Sequence, residues 1–168
     1  MGFKKTSDLI AVSFGVTEAG PNTFTQGEVA LQLDVLNNEI FVVLAADLNP
    51  FTPDLTPGQN SLTKAAITST SQTAMATLAN TNTIAVSQLD IRSAGAAGDA
   101  VSFSRAAEES YSGVLDYIAL IATNNFFVAV EGAGNSGTNT VNGRIFGYRA
   151  RADASTYAAL VQSEVLSA

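Results

Sequence analysis

The chain has 168 residues, 46% hydrophobic and 14% charged, and its 15 acidic against 8 basic side chains leave a net charge of −7. That is far from the composition of a disordered chain, and a domain of this length buries about 70% of its unfolded surface without a covalent staple. Cys, His and Trp are all missing, which excludes disulfides, Cys or His metal sites, haem or iron–sulfur ligation, and every nucleophile that depends on histidine.

No enzyme is therefore expected, and no cofactor. The Lys and Arg residues are spread along the chain rather than clustered, so direct nucleic-acid binding is not expected either, and the acidity reads as solubility through self-repulsion. No apolar run reaches the roughly 18 to 20 residues of a transmembrane segment. At the N-terminus, Lys4 and Lys5 ahead of residues 9–16 loosely imitate a signal peptide, but Asp8 and Ser13 interrupt the run. Gly2 with Thr6 fits the myristoylation pattern. Patterns this short match by chance, and residues 1–8 are read as an exposed N-terminal arm.

From there the chain reads as successive strands. Residues 24–35 alternate, with Val29, Leu31, Leu33 and Val35 on one face and Glu28, Gln32 and Asp34 on the other. Asn37-Asn38 supplies a turn, and residues 40–46 form a short apolar run that fits a strand buried on both faces. Pro50, Pro53, Pro57 and Gly58 make residues 49–60 an irregular loop. Residues 61–71 and 83–91 read as strands, with a short helix or a loop between them. Residues 93–110 read as a surface loop holding a short strand around Val101 and Phe103. Residues 114–122 and 126–131 read as a hairpin turning at Thr123-Asn124-Asn125, and residues 143–152 as a last strand. Asp153 then caps a helix to residue 166, with Tyr157, Leu160, Val161 and Val165 as its apolar stripe. The expected fold is all-β: one antiparallel, jelly-roll-like β-sandwich of roughly eight strands, with a short C-terminal helix.

Candidate sites are few. Gly132-Ala133-Gly134-Asn135-Ser136-Gly137 matches G-x-G-x-x-G after a strand, but no helix follows to hold a pyrophosphate, so a flexible loop is expected. Glu108 with Glu109, or Asp116 with Glu131, are the nominal carboxylate pairs for glycoside hydrolysis; solvated loop charge and cross-strand pairing with Arg144 or Arg149 are the simpler readings. No EF-hand or repeat pattern marks a Ca²⁺ site. Asn142-Gly143 reads as a turn, and Lys64 as a nominal isopeptide donor whose Asn partner no pattern identifies.

Tyr117-Ile118-Ala119-Leu120-Ile121-Ala122, with Phe126-Phe127-Val128 facing it, is apolar on both sides, so one face needs a cover from the C-terminal helix or a neighbouring subunit. Tyr117, Leu120, Ile121, Phe126, Phe127, Tyr157, Leu160 and Val161 are the expected subunit contacts. The segments Leu115-Asp116-Tyr117-Ile118-Ala119-Leu120-Ile121-Ala122-Thr123-Asn124-Asn125-Phe126-Phe127 and Gly143-Arg144-Ile145-Phe146-Gly147-Tyr148-Arg149-Ala150-Arg151-Ala152-Asp153 resemble parts of small virion structural proteins of marine prokaryotic viruses. Size and strand count are similar to those of single jelly-roll capsid proteins. The resemblance implies a self-assembling coat subunit located in the virion, whose partners are copies of itself; the missing basic arm departs from capsid proteins that condense RNA. An extracellular filament or surface-layer subunit, and a carbohydrate-binding sandwich stacking a glycan on Tyr111, Tyr117 or Tyr148, are the alternatives.

Overall fold

In residues 10–17, Ile10, Val12, Phe14 and Val16 fall on one side of a pleat and Ala11, Ser13, Gly15 and Thr17 on the other. In the computed structural model, which describes residues 2–95, 98–106 and 115–167, this segment is a strand, β2 (Ile10–Thr17), preceded by a short one, β1 (Phe3–Lys5). The N-terminal arm is thus tied to a sheet at Phe3–Lys5. There follow β3 (Thr25–Ala30), β4 (Glu39–Pro50), β5 (Ser61–Thr68), β6 (Thr83–Arg92), β7 (Val101–Ala106), β8 (Ala119–Ile121), β9 (Asn125–Ala133), β10 (Thr140–Ala152) and one helix, α1 (Ala154–Ser167).

The pairings nest: β5 with β6, β4 with β8, β3 with β9 and β2 with β10. The chain is one long antiparallel ribbon closed at β5–β6, wrapped so that β10 also meets β4 and β9 also meets β5. The result is a front sheet ordered β2-β10-β4-β8 and a back sheet ordered β3-β9-β5-β6, which is the strand order of a jelly roll. β1 lengthens the front sheet beside the end of β10, and β7 adds an edge to the back sheet beyond β6. The antiparallel β-sandwich with a short C-terminal helix is as the alternation implies, with ten strands described.

Between the sheets lies the main core, centred on Phe41, Val43, Ile67, Ile121, Phe126, Val128, Val130, Val141 and Ile145, all essentially without exposure. β10 carries the tightest backbone contact. Its ladder with β4 shifts register at Phe146/Gly147, and a Cβ on Gly147 would run into the Val42 carbonyl and the Phe41 ring. Glycine at this bulge lets the two strands close.

Three expectations change. Residues 114–122 and 126–131 are not a hairpin: β8 pairs with β4 in the front sheet while β9 lies between β3 and β5 in the back one, so residues 122–124 cross from sheet to sheet. Apolar runs joined by a turn fix a chain reversal but not which sheet receives each arm; Val114 itself lies outside the described residues. Asn142-Gly143 is no turn but mid-ladder in β10, opposite Asn49 and Leu48 on one side and Gly15 and Phe14 on the other. The alternation of residues 24–35 describes the burial as far as Leu31 and Leu33, which face the core, whereas Val35 is exposed, and the ladder ends at Ala30 because β9 begins at its partner Asn125. Gln32 then turns left-handed, with φ 53°. Residues 72–82 are a loop pinned by turns such as the one in which Asn80 N–H donates to the Thr77 carbonyl.

Candidate functional site

Helix α1 lies on the outer face of the front sheet, over a second apolar layer of Ile40, Val42, Ala122, Ala150 and Ala152. Five of the expected contact residues meet there: Tyr117 and Leu120 from the β8 segment, and Tyr157, Leu160 and Val161 from α1. Two others cannot form a surface, because Ile121 and Phe126 are fully buried between the sheets. Phe127 is half-buried on β9, opposite Glu28 of β3 and Thr68 of β5 in the back sheet, and is not part of the cluster under the helix. Of the two covers a two-sided apolar strand allows, the helix is the one in place.

Asp153 caps α1 as expected, its Oδ1 accepting the Thr156 N–H at 2.7 Å and the Ser155 hydroxyl at 2.8 Å. These bonds hold its carboxyl below the ordinary value. The inward stripe differs at its end. Val165 is 67% exposed, and the fourth inward position is Glu164, only 8% exposed, whose Oε1 accepts the Ala122 N–H at 3.0 Å. Burial pushes the Glu164 carboxyl up, against the opposing pull of that bond, and burial together with the Glu164 charge pushes the Tyr157 hydroxyl up. Spacing from Tyr157 places Glu164 on this face; its polarity hides that from an apolar count.

The G-x-G-x-x-G loop is tied rather than loose. At the same end of the sandwich, buried Glu18 accepts the Gly132 and Thr23 N–H groups on Oε1, at 2.6 and 3.1 Å, and the Asn139 N–H on Oε2 at 2.6 Å. Asn22 exchanges two hydrogen bonds with the Asn135 backbone, and Asn135 Oδ1 accepts the Asp54 N–H at 2.9 Å. Asp54 Oδ2 in turn accepts the Ser136 N–H and hydroxyl, which hold its carboxyl below the ordinary value. Gly134 takes φ 68° against the Asn60 backbone. The loops after β2, β4 and β9 are locked together by carboxylates that accept hydrogen bonds from backbone and hydroxyl donors, an arrangement that builds structure.

Asp116 precedes β8 of the front sheet, and Glu131 lies on β9 of the back one in register with Lys64 of β5. Neither bonds Arg149, which binds Glu39 at 3.1 Å and the Leu31 and Gln32 carbonyls; Arg144 lies opposite Asp47. Glu108, Glu109 and Tyr111 lie outside the described residues. Tyr117 is met edge-on by Phe3 and Tyr148 is roofed by Lys5, so both rings have partners within the chain. Lys64 sits in register with Glu131 and Gln88, not with an Asn. Lys4 of β1 lies in register with Arg151 of β10, so two cations distant in sequence are neighbours across the ladder.

Exposed large apolar side chains mark several separate places among the described residues, among them Leu9 before β2, Leu115 before β8, and Val165 and Leu166 at the end of α1. Phe51 and Leu55 lie at the end held by Glu18, Val35, Leu36 and Leu78 on the loops between β3 and β4 and between β5 and β6, and Val101 and Phe103 on the edge strand β7. No described group of three or more acidic, His or Cys side chains is arranged to hold a metal ion, and no described helix is long and apolar enough to cross a membrane. No family model matches the chain, and neither a curated protein nor a solved structure is found similar to it.

Proposed function

We propose that the chain is a self-assembling coat subunit of a virion. The observation that carries this reading is the combination of a jelly-roll winding with exposed apolar residues at both ends of the sandwich and along β7. One dimer would need one patch; a subunit that tiles a surface needs contacts in several directions. Leu36, 92% exposed, is the most exposed of these side chains and belongs to that set. The polar network around Glu18 suits the same role, because it stiffens the loops that a neighbour would meet without supplying a reactive group. Purified protein is expected to form large, uniform particles when concentrated, visible by negative-stain microscopy and light scattering. A chain that stays monomeric across salt and concentration overturns the proposal, and open filaments in place of closed particles point instead to a filament or surface-layer subunit.

A further inference from the structure

Glu164 occupies the worst place on α1 for a charge. It follows Tyr157, Leu160 and Val161 at helical spacing and so points into the apolar layer over the front sheet. It lies in the last turn, where the negative end of the helix dipole disfavours a carboxylate. One oxygen accepts the Ala122 N–H, whereas Oε2 is buried and outside hydrogen-bond geometry, with Thr123 close by adding weaker polar contact through its amide and hydroxyl. Among the described residues no ion pair includes it. The ionisable side chains on the elements around it are Asp153 at the cap of α1 and Tyr157 within it, Asp116 and Tyr117 before β8, Glu39 and Asp47 of β4, Lys4 and Lys5 of β1, and Arg144, Tyr148, Arg149 and Arg151 of β10. Lys5 lies over Tyr148 and Arg149 is bound to Glu39, and neither described ion pair reaches Glu164.

We propose that α1 is a strap whose seating on the front sheet is controlled by a proton on Glu164, held down while the carboxyl is neutral and loosened when it ionises. The neutral acid keeps its carbonyl oxygen on the Ala122 N–H and carries no charge into the apolar layer. The ionised form buries an unpaired charge, and that cost is relieved if the end of the helix moves out to water. What it leaves behind is apolar: Leu120, Val42 and Tyr117 form part of its seat. The sense of the pH dependence follows from the direction of the shift, because burial raises the carboxyl in the seated state. Seating is fully supported below the pKa of the free helix and loses that support as pH rises through the higher seated value. Inside that window the seating constant falls by up to about tenfold per pH unit, and outside it the constant is level.

The test uses the isolated chain and does not depend on the coat assignment. The Glu164 carboxyl is titrated by NMR from about pH 4 to about pH 8 while amide exchange of α1, corrected for its intrinsic pH dependence, is followed beside that of β10. In the native chain, protection of α1 is expected to fall with the carboxyl titration while β10 holds; in Glu164→Gln, and in Glu164→Leu, protection of α1 should stay level. A carboxyl titrating at the ordinary value, a level native profile, or an equal fall in Glu164→Gln overturns the proposal. Should either variant fail to seat the helix, the native titration still decides, because the midpoints of carboxyl shift and protection loss must coincide.

Discussion

Two apolar layers hold this molecule together, and they are closed in different ways. Between the sheets, Phe41, Ile67, Phe126 and Ile145 are sealed on both sides by hydrogen-bonded ladders. Outside the front sheet, Ile40, Val42 and Ala150 are equally dry, yet the side chains closing over them, Tyr157, Leu160 and Val161 from α1 with Phe3 from β1, remain half-buried. A layer shut by two sheets opens only when the domain unfolds. A layer shut by one helix can open by itself, as a local event well below the global unfolding free energy.

The most severe test of that distinction is Phe126→Ala. Removing a fully buried ring from between the sheets is expected to cost about 3–5 kcal/mol of global stability, seen as a lower urea midpoint with unchanged slope; a loss under about 1 kcal/mol would mean the inner layer is not closed as described. Gly147→Ala comes next, since it drives a Cβ into the Val42 carbonyl on the strand common to both layers. More than about 2 kcal/mol should be lost, together with protection of the β4–β10 ladder, because backbone rather than a flexible side chain must give way. Leu160→Ala should cost less, about 1–2 kcal/mol for a half-buried leucine, and amide exchange should quicken in α1 but not in β9; equal quickening in both would merge the two layers into one cooperative unit. Smallest of all is Asp153→Ala, which removes the cap of α1: exchange should rise in the first helical turn alone, leaving the urea midpoint near its native value.

Much of the sandwich was legible in the sequence because period-two alternation is a local property. Residues 28–34 sort their faces as the pleat demands, although Val35 of the same pattern is exposed; residues 40–43 of the apolar run 40–46 are buried on both faces whereas Ala45 is exposed; and Asp153 is the cap that its position before the stripe suggests. β2 alternates just as clearly, yet its nearness to Lys4 and Lys5 lends the same residues the look of a leader, and periodicity does not choose between those readings. Partners were less legible. Nothing local says that Arg149 binds Glu39, that Glu18 reaches backbone amides on β9 and on the loops after β2 and β9, or that β8 and β9 part company at Ala122. Of the eight residues expected at a subunit surface, Ile121 and Phe126 were hidden by that last choice, since apolar residues in a core and apolar residues at an interface look alike in a sequence.

By itself the sequence determined the chemistry excluded by missing Cys and His, the β pattern, and the short helix with its cap, because each depends on residue type or on spacing within a few positions. Only the tertiary structure decided the nested winding, the sheet given to each strand, and which apolar face the helix covers, because those depend on pairing across up to about 150 positions between β1 and β10. It also decided the meaning of Glu164: a polar residue on a helix in one dimension, a buried and half-partnered carboxylate against Ala122 in three.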